Sequence, residues 1–172
     1  MLSIDIRALE SKPAQVDGDL AVDDPIWEEG DPVPAEPVHV TGRLSTAGPG
    51  RYYFSGHLES AVVGECRRCL TDVTERVSDD AHLFYMEAGE EGTEDDPDVY
   101  LLDPRATTID LRPAIREQWL LAAPTYVQCR EDCKGLCPTC GADLNEGDCD
   151  CHPTTDGRWE ALRKLRTEPG PP

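Results

Sequence analysis

Cysteine is the residue type whose spacing carries chemistry in this chain. Six of the eight cysteines lie in CREDCKGLCPTCGADLNEGDCDC, from Cys129 to Cys151. A structural zinc site takes four thiolates at the corners of a tetrahedron, so two close pairs joined by a turn satisfy it at small cost in chain entropy. Cys137-Pro-Thr-Cys140 and Cys149-Asp-Cys151 are such pairs. Gly141 and Gly147 suit left-handed turns that bring backbone amides toward sulfur, and Asn145 is a further turn former.

Eight cysteines also fit a disulfide framework. Against it, the opening MLSIDIRALE carries charges and lacks an apolar signal core, which points to a reducing cytoplasm. A redox Cys-x-x-Cys fits poorly as well, since neither pair follows a strand in a βαβ pattern.

The partition of the cysteines follows from what is left over. With Cys137, Cys140, Cys149 and Cys151 local to one another, Cys129 and Cys133 lack a partner pair, as do Cys66 and Cys69 sixty residues earlier. We expect the leftovers to meet: Cys66, Cys69, Cys129 and Cys133 in site one, the other four in site two, with two Zn²⁺ in all. Site one closes the longer loop, so it should matter more to the main fold. His152 in place of Cys151 stays open as a ligand, and so does a single zinc on Cys133, Cys137, Cys140 and Cys149.

These ligands need elements to hold them. Val38, Val40 and Leu44 alternate, the turn Ala47 to Gly50 follows, and Tyr52, Phe54, Leu58 and Val62 share parity, which is a β-hairpin with one buried face. Val62 leads into GECRRCL, and alternation resumes at Val73, Val77, Ala81, Leu83 and Tyr85, so Cys66 and Cys69 sit at a hairpin tip. Leu2, Ile4 and Ile6 read as a short first strand, and Val99 to Leu102 as a late one. One helix is expected over 110–123, with Asp110 as cap, Pro113 in the first turn, Pro124 at its end, and Leu111, Ile115 and Trp119 facing the core.

Two acidic stretches interrupt this pattern. Residues 17–37 carry eight carboxylates, no Lys or Arg, and prolines at 25, 32, 34 and 37, which reads as a solvated, extended loop or arm, with a docking role for Ile26 and Trp27 as the alternative. Residues 79–98 carry nine carboxylates and read the same way, lacking a calcium-loop pattern. At the end of the chain, Trp159, Leu162 and Leu165 line one side of a short helix whose other side carries Arg158, Arg163, Lys164 and Arg166.

The fold class expected is therefore α+β: an antiparallel β-sheet or partly open barrel with one main helix over 1–128, and a zinc-knuckle module with a short C-terminal helix over 129–172. No stretch approaches a membrane span. The formal charge is −19, and two tetrathiolate zinc sites would take it to about −23. Such a surface repels phosphate backbones at long range and favours a basic protein partner.

GECRRCL, a helix ending in proline, CREDCKGLCPTCGADLN and a closing Cys-x-Cys together resemble the YceD family, the bacterial large ribosomal RNA subunit accumulation proteins. The resemblance runs from the N-terminal strand to the closing RWEAL helix. It implies a part in accumulation or processing of large-subunit ribosomal RNA, and its genes often neighbour one for a small zinc-ribbon ribosomal protein. It implies no catalytic activity and carries no active site, and the two acidic stretches are least typical of it.

Three functions are weighed. The first is a non-enzymatic, cytoplasmic assembly factor that docks a basic ribosomal protein or the precursor of the large subunit. The second is direct binding of large-subunit ribosomal RNA through Arg67, Arg68, Arg130, Lys134, Arg163, Lys164 and Arg166. The third is a redox-sensitive thiol or zinc protein, or an enzyme, but closed four-sulfur sites leave no open metal position, and no small-molecule substrate is implied.

Overall fold

The computed structural model describes residues 1–89, 99–151 and 157–159. Its frame is a five-stranded sheet in the order β2-β3-β4-β5-β6, formed by β2 (Ala14–Leu20), β3 (Val38–Gly48), β4 (Arg51–Glu65), β5 (Asp72–Glu87) and β6 (Val99–Leu102). A separate two-stranded sheet pairs β1 (Ser3–Asp5) with β7 (Thr108–Asp110). The helices are a single turn, α1 (Ile6–Leu9), and the main helix α2 (Arg112–Ala122).

The hairpin forms because apolar side chains recur on one face of both strands. Tyr52, Phe54, Leu58 and Val62 of β4 are buried with Val77, Ala81, Leu83 and Tyr85 of β5 and Val38, Val40 and Leu44 of β3. Against this face lie Leu111, Ile115 and Trp119, each with no exposed surface. Trp119 is core, as expected, and its indole N–H donates to the Pro32 carbonyl at 2.6 Å. Burying an aromatic of this size with its one polar atom satisfied stabilises the helix–sheet contact by roughly 3 kcal/mol.

Several expectations are corrected. The sheet is mixed and open: β5 and β6 run parallel, and among the described residues β2 and β6 are not hydrogen-bonded to each other, so no barrel closes. A parallel pair needs a crossover, and the chain re-enters beside Phe84 running in the direction of β5. The helix starts two residues late. Asp110 belongs to β7, and its carboxylate accepts from the backbone N–H and the guanidinium of Arg112, at 3.0 and 2.7 Å.

The acidic stretch 17–37 packs on the fold instead of standing off as an arm, although most of its carboxylates are exposed. Asp17 and Asp19 lie in β2, with Val16 and Leu20 buried between polar neighbours. Beyond it, Asp31 binds Arg116 of α2 through two contacts of 2.7 and 2.9 Å, and Ile26 and Trp27 pack on the core. The Arg116 guanidinium holds the Asp31 carboxyl below its usual range. Asp24 and Asp31 thus have arginine partners more than eighty residues away. In the second acidic stretch, β5 continues through Asp79 and Asp80 to Glu87, while 90–98 lie outside the described residues. Of the expected C-terminal helix, only a 3₁₀ turn at Gly157–Trp159 is described.

Candidate metal centres

The turn between β4 and β5 places the first cysteine pair. Cys66 N–H donates to the Thr71 carbonyl at 2.8 Å, and Leu70 N–H donates to the Cys66 carbonyl at 2.9 Å. Leu70 takes a left-handed φ of 61°, which folds the knuckle back on itself. The second pair arrives from the end of α2. Val127 bridges to Cys66 in parallel, with Arg67 N–H donating to the Val127 carbonyl at 3.0 Å.

Gly135 fixes the second contact between these segments. Its φ is +78°, and a Cβ there would sit 2.9 Å from the Arg68 carbonyl, which already accepts from Leu136 N–H. Only glycine meets both conditions without strain.

The result is a cluster of four sulfurs. Those of Cys66, Cys69, Cys129 and Cys133 all lie within 4.8 Å of one another. Cys66 to Cys133 is 3.9 Å, and Cys69 to Cys129 is 3.6 Å. A tetrahedral zinc with bonds of about 2.3 Å requires sulfur separations of about 3.8 Å, so the donor set fits such an ion. Cys66, Cys69 and Cys133 are buried, and Cys129 is the open corner.

The second cluster builds itself from one short loop. Cys137 N–H donates to the Ala142 carbonyl, and Gly141, at φ +75°, returns its N–H to the Cys137 carbonyl at 2.9 Å. The sulfurs of Cys137, Cys140, Cys149 and Cys151 again lie within 4.8 Å of one another. Only Cys137 is buried. Each cluster could hold a metal ion.

Backbone amides supply the electrostatics. The amide of Cys129, with those of Arg68 and Cys69, lowers the Cys66 thiol to about 6 against the opposing effect of burial. At Cys137 the amides of Cys140 and Thr139 do the same, again to about 6. Burial and hydrogen bonds to neighbouring sulfurs push Cys129 up to about 12. Hydrogen bonding to Cys140, then burial, pushes Cys151 up to about 12. Each cluster thus favours at least one thiolate before any cation arrives, the condition for capturing a soft metal.

Asn145 links the clusters, a role its reading as a turn former missed. Its Oδ1 accepts from Lys134 N–H at 2.8 Å and its Nδ2 donates to Cys133 Sγ at 3.5 Å, although it lies within the loop of the second cluster. An amide side chain four residues before a Cys-x-Cys pair is the only trace this contact leaves in the sequence.

The single-zinc set is not brought together: the Cys133 sulfur lies in one cluster, and Cys137, Cys140 and Cys149 lie in the other. His152 lies outside the described residues, as do Arg163, Lys164 and Arg166. The remaining basic candidates surround the clusters. Arg67 donates to Gln128 at 3.2 Å, Arg130 pairs with Asp132 at 3.5 Å, and Lys134 pairs with Asp148 at 3.8 Å. Arg68 is exposed.

These features define an α+β protein in which a hairpin tip shares a four-cysteine cluster with the segment after the main helix, and a second such cluster follows directly. The chain belongs to the family described as large ribosomal RNA subunit accumulation protein YceD, which it matches over residues 54–166. The match starts in β4 and takes in both clusters. By that description the family supports accumulation of large-subunit ribosomal RNA and is not named for an enzymatic activity.

Uncharacterized proteins of Mycobacterium tuberculosis and Mycobacterium bovis are 36% identical to it over 114 residues, covering 64% of this chain and 54% of theirs. One from Mycobacterium leprae is 32% identical over 114 residues, covering 64% of this chain and 51% of its own. The chain spans about half the length of the curated relatives it matches. No solved structure matches it. Among the described residues, no helix is long and apolar enough to cross a membrane.

Proposed function

We propose that this chain is a non-enzymatic, cytoplasmic ribosome-biogenesis factor that supports accumulation of large-subunit ribosomal RNA by docking a basic ribosomal protein or the precursor subunit. Two Zn²⁺ ions shape the docking surface. Cys66, Cys69, Cys129 and Cys133 hold one, and Cys137, Cys140, Cys149 and Cys151 in the module from 129 onward hold the other. Bound zinc supplies cross-linking here and no chemistry on a substrate, because four sulfurs close each site.

The observation that carries the choice of partner is the engagement of the cations. Arg130 and Lys134 face carboxylates of their own chain, in a protein of net charge −19. Exposed pairs of this kind are weak, about 0–1 kcal/mol, but they cancel local positive potential where RNA phosphate would have to approach. Basic large-subunit proteins, titrated individually against the full chain over a salt series, test the reading. Affinity that weakens steeply with salt is expected, and affinity indifferent to salt contradicts charge-led docking.

Arg67 and Arg68, exposed at the hairpin tip, favour a second reading, direct binding of large-subunit ribosomal RNA. Replacing both with alanine separates the two: loss of RNA binding with the fold intact supports the RNA reading, and unchanged protein binding supports the first.

A further inference from the structure

The sheet has an open edge of unusual length for so acidic a chain. β5 pairs with β4 over its whole length, from Asp72 opposite Glu65 to Met86 opposite Arg51. On its other side β6 pairs only Phe84 to Glu87. From Asp72 to Leu83, among the described residues, no strand lies against that edge.

The direction of each backbone group along β5 follows from its two ends. Glu87 N–H donates to Gly50 on the β4 side, and Ala88 N–H donates to Leu102 on the β6 side. Peptide groups alternate along a strand, so even-numbered residues direct their N–H and C=O outward. Among the described residues, Thr74, Arg76, Ser78, Asp80 and His82 therefore present an unpaired row of backbone donors and acceptors, and all five are exposed.

Two features say what fits there. The acidic residues along the edge are Asp72, Glu75, Asp79 and Asp80, the last in contact with His57 at 2.7 Å, while Arg76, the one Lys or Arg there, is held by Glu36 at 2.8 Å. Where β6 begins, the edge opens into a cavity of about 370 Å³ lined by Tyr53, His82, Phe84, Glu117 and Leu121. Tyr53 and Phe84 pack with ring centroids 4.8 Å apart, yet Phe84 remains 44% and Leu121 75% exposed. Aromatic faces beside a carboxylate suit the stem and charged head of a long cationic side chain. Charged residues alone would be ordinary protection of an edge strand, but a cavity that sets exposed aromatic and aliphatic side chains beside a carboxylate is not needed for that.

We infer that an extended, Lys- or Arg-rich segment of the partner adds as a strand to the outer edge of β5, with one cationic side chain in the Tyr53–Phe84–Glu117 cavity. This deepens the proposed docking of a basic protein and rests on that reading. A second copy of the chain suits the edge less well, since each copy carries −19.

Ser78→Pro in the full chain is the direct test. It removes an outward N–H and leaves the β4 ladder untouched, and Ser78→Ala controls for loss of the hydroxyl, which contacts His57 at 2.9 Å. The probes are the individually purified basic large-subunit proteins and a synthetic peptide of alternating valine and lysine, with amide exchange followed residue by residue. Binding that protects the amides of 74, 76, 78, 80 and 82, weakens about tenfold in Ser78→Pro and holds in Ser78→Ala supports the inference. If Ser78→Pro loses its fold, the exchange pattern of the unaltered chain decides alone.

Binding of a ribosomal protein with protection elsewhere overturns the edge site and leaves the docking reading standing. Binding of the peptide alone at these amides keeps the edge site and sinks the docking reading. Even-numbered amides already protected in the free protein, or a dimer dissolved by Ser78→Pro, overturn the inference, because the edge is then occupied by the chain itself or by a second copy.

Discussion

The two cysteine clusters offer the same four donors within the same 4.8 Å, yet they stand in opposite relations to the fold. The first joins Cys69 to Cys129 and Cys66 to Cys133, 60 and 67 residues apart, across a hairpin tip and the exit of the main helix. The second closes within residues 137 to 151. Loop entropy alone separates them by only about 1.3 kcal/mol, because closure cost grows with the logarithm of length. What separates them further is what each holds. The first stands at the end of the β4–β5 ladder, with three of its four cysteines buried, and the second has one buried. A metal in the first would stabilise the sheet, and a metal in the second would stabilise mainly its own loop.

The largest effect should come from breaking the first cluster. Cys66→Ser/Cys69→Ser is expected to lower the melting temperature by roughly 10 °C in calorimetry, and Cys149→Ser/Cys151→Ser by about 2 °C or less. Equal shifts would remove the asymmetry. Next is Gly135→Ala, which forces a side chain against the Arg68 carbonyl at φ +78°. A loss of about 2 kcal/mol in denaturant unfolding is expected, since the strained backbone belongs to the first cluster.

Asn145→Ala should cost less, about 1 kcal/mol, and should weaken metal binding in the first cluster although the residue lies in the second loop. Metal affinity measured on this variant in the Cys149→Ser/Cys151→Ser background isolates that effect. The smallest difference is in acid release. Thiolate ligands must be deprotonated, so affinity falls as pH falls in both clusters, and the more exposed second one should empty at the higher pH. A pH titration with a zinc-responsive dye reads the order directly.

How legible all this was depended on distance along the chain. The hairpin is readable because Tyr52, Phe54, Leu58 and Val62 state their parity locally, and the helix because Ile115 and Trp119 continue a four-residue repeat that begins at its N-cap, Leu111. Cys66, Cys69, Cys129 and Cys133 are the cysteines without local partners in the sequence, and their sulfurs lie within 4.8 Å of one another.

What was not legible involved partners chosen by the tertiary fold. Asp31 looked solvated because Arg116 is 85 residues away. The parallel pairing of β6 has no local signature in VYLL, and an antiparallel sheet or partly open barrel fits its composition equally well. Asn145 carried the signature of a turn, and its Asp143 contact fits that, but its bond to Cys133 appears only when both loops are folded.

Zinc content per chain, measured by elemental analysis on protein purified without chelator and repeated on Cys66→Ser/Cys69→Ser, tests the central claim most directly. Two zinc ions falling to one are expected, because the distant knuckle completes one site and leaves the other intact. One zinc unchanged by the substitution would contradict the account, leaving metal only in the local loop and the hairpin tip without a metal to hold it.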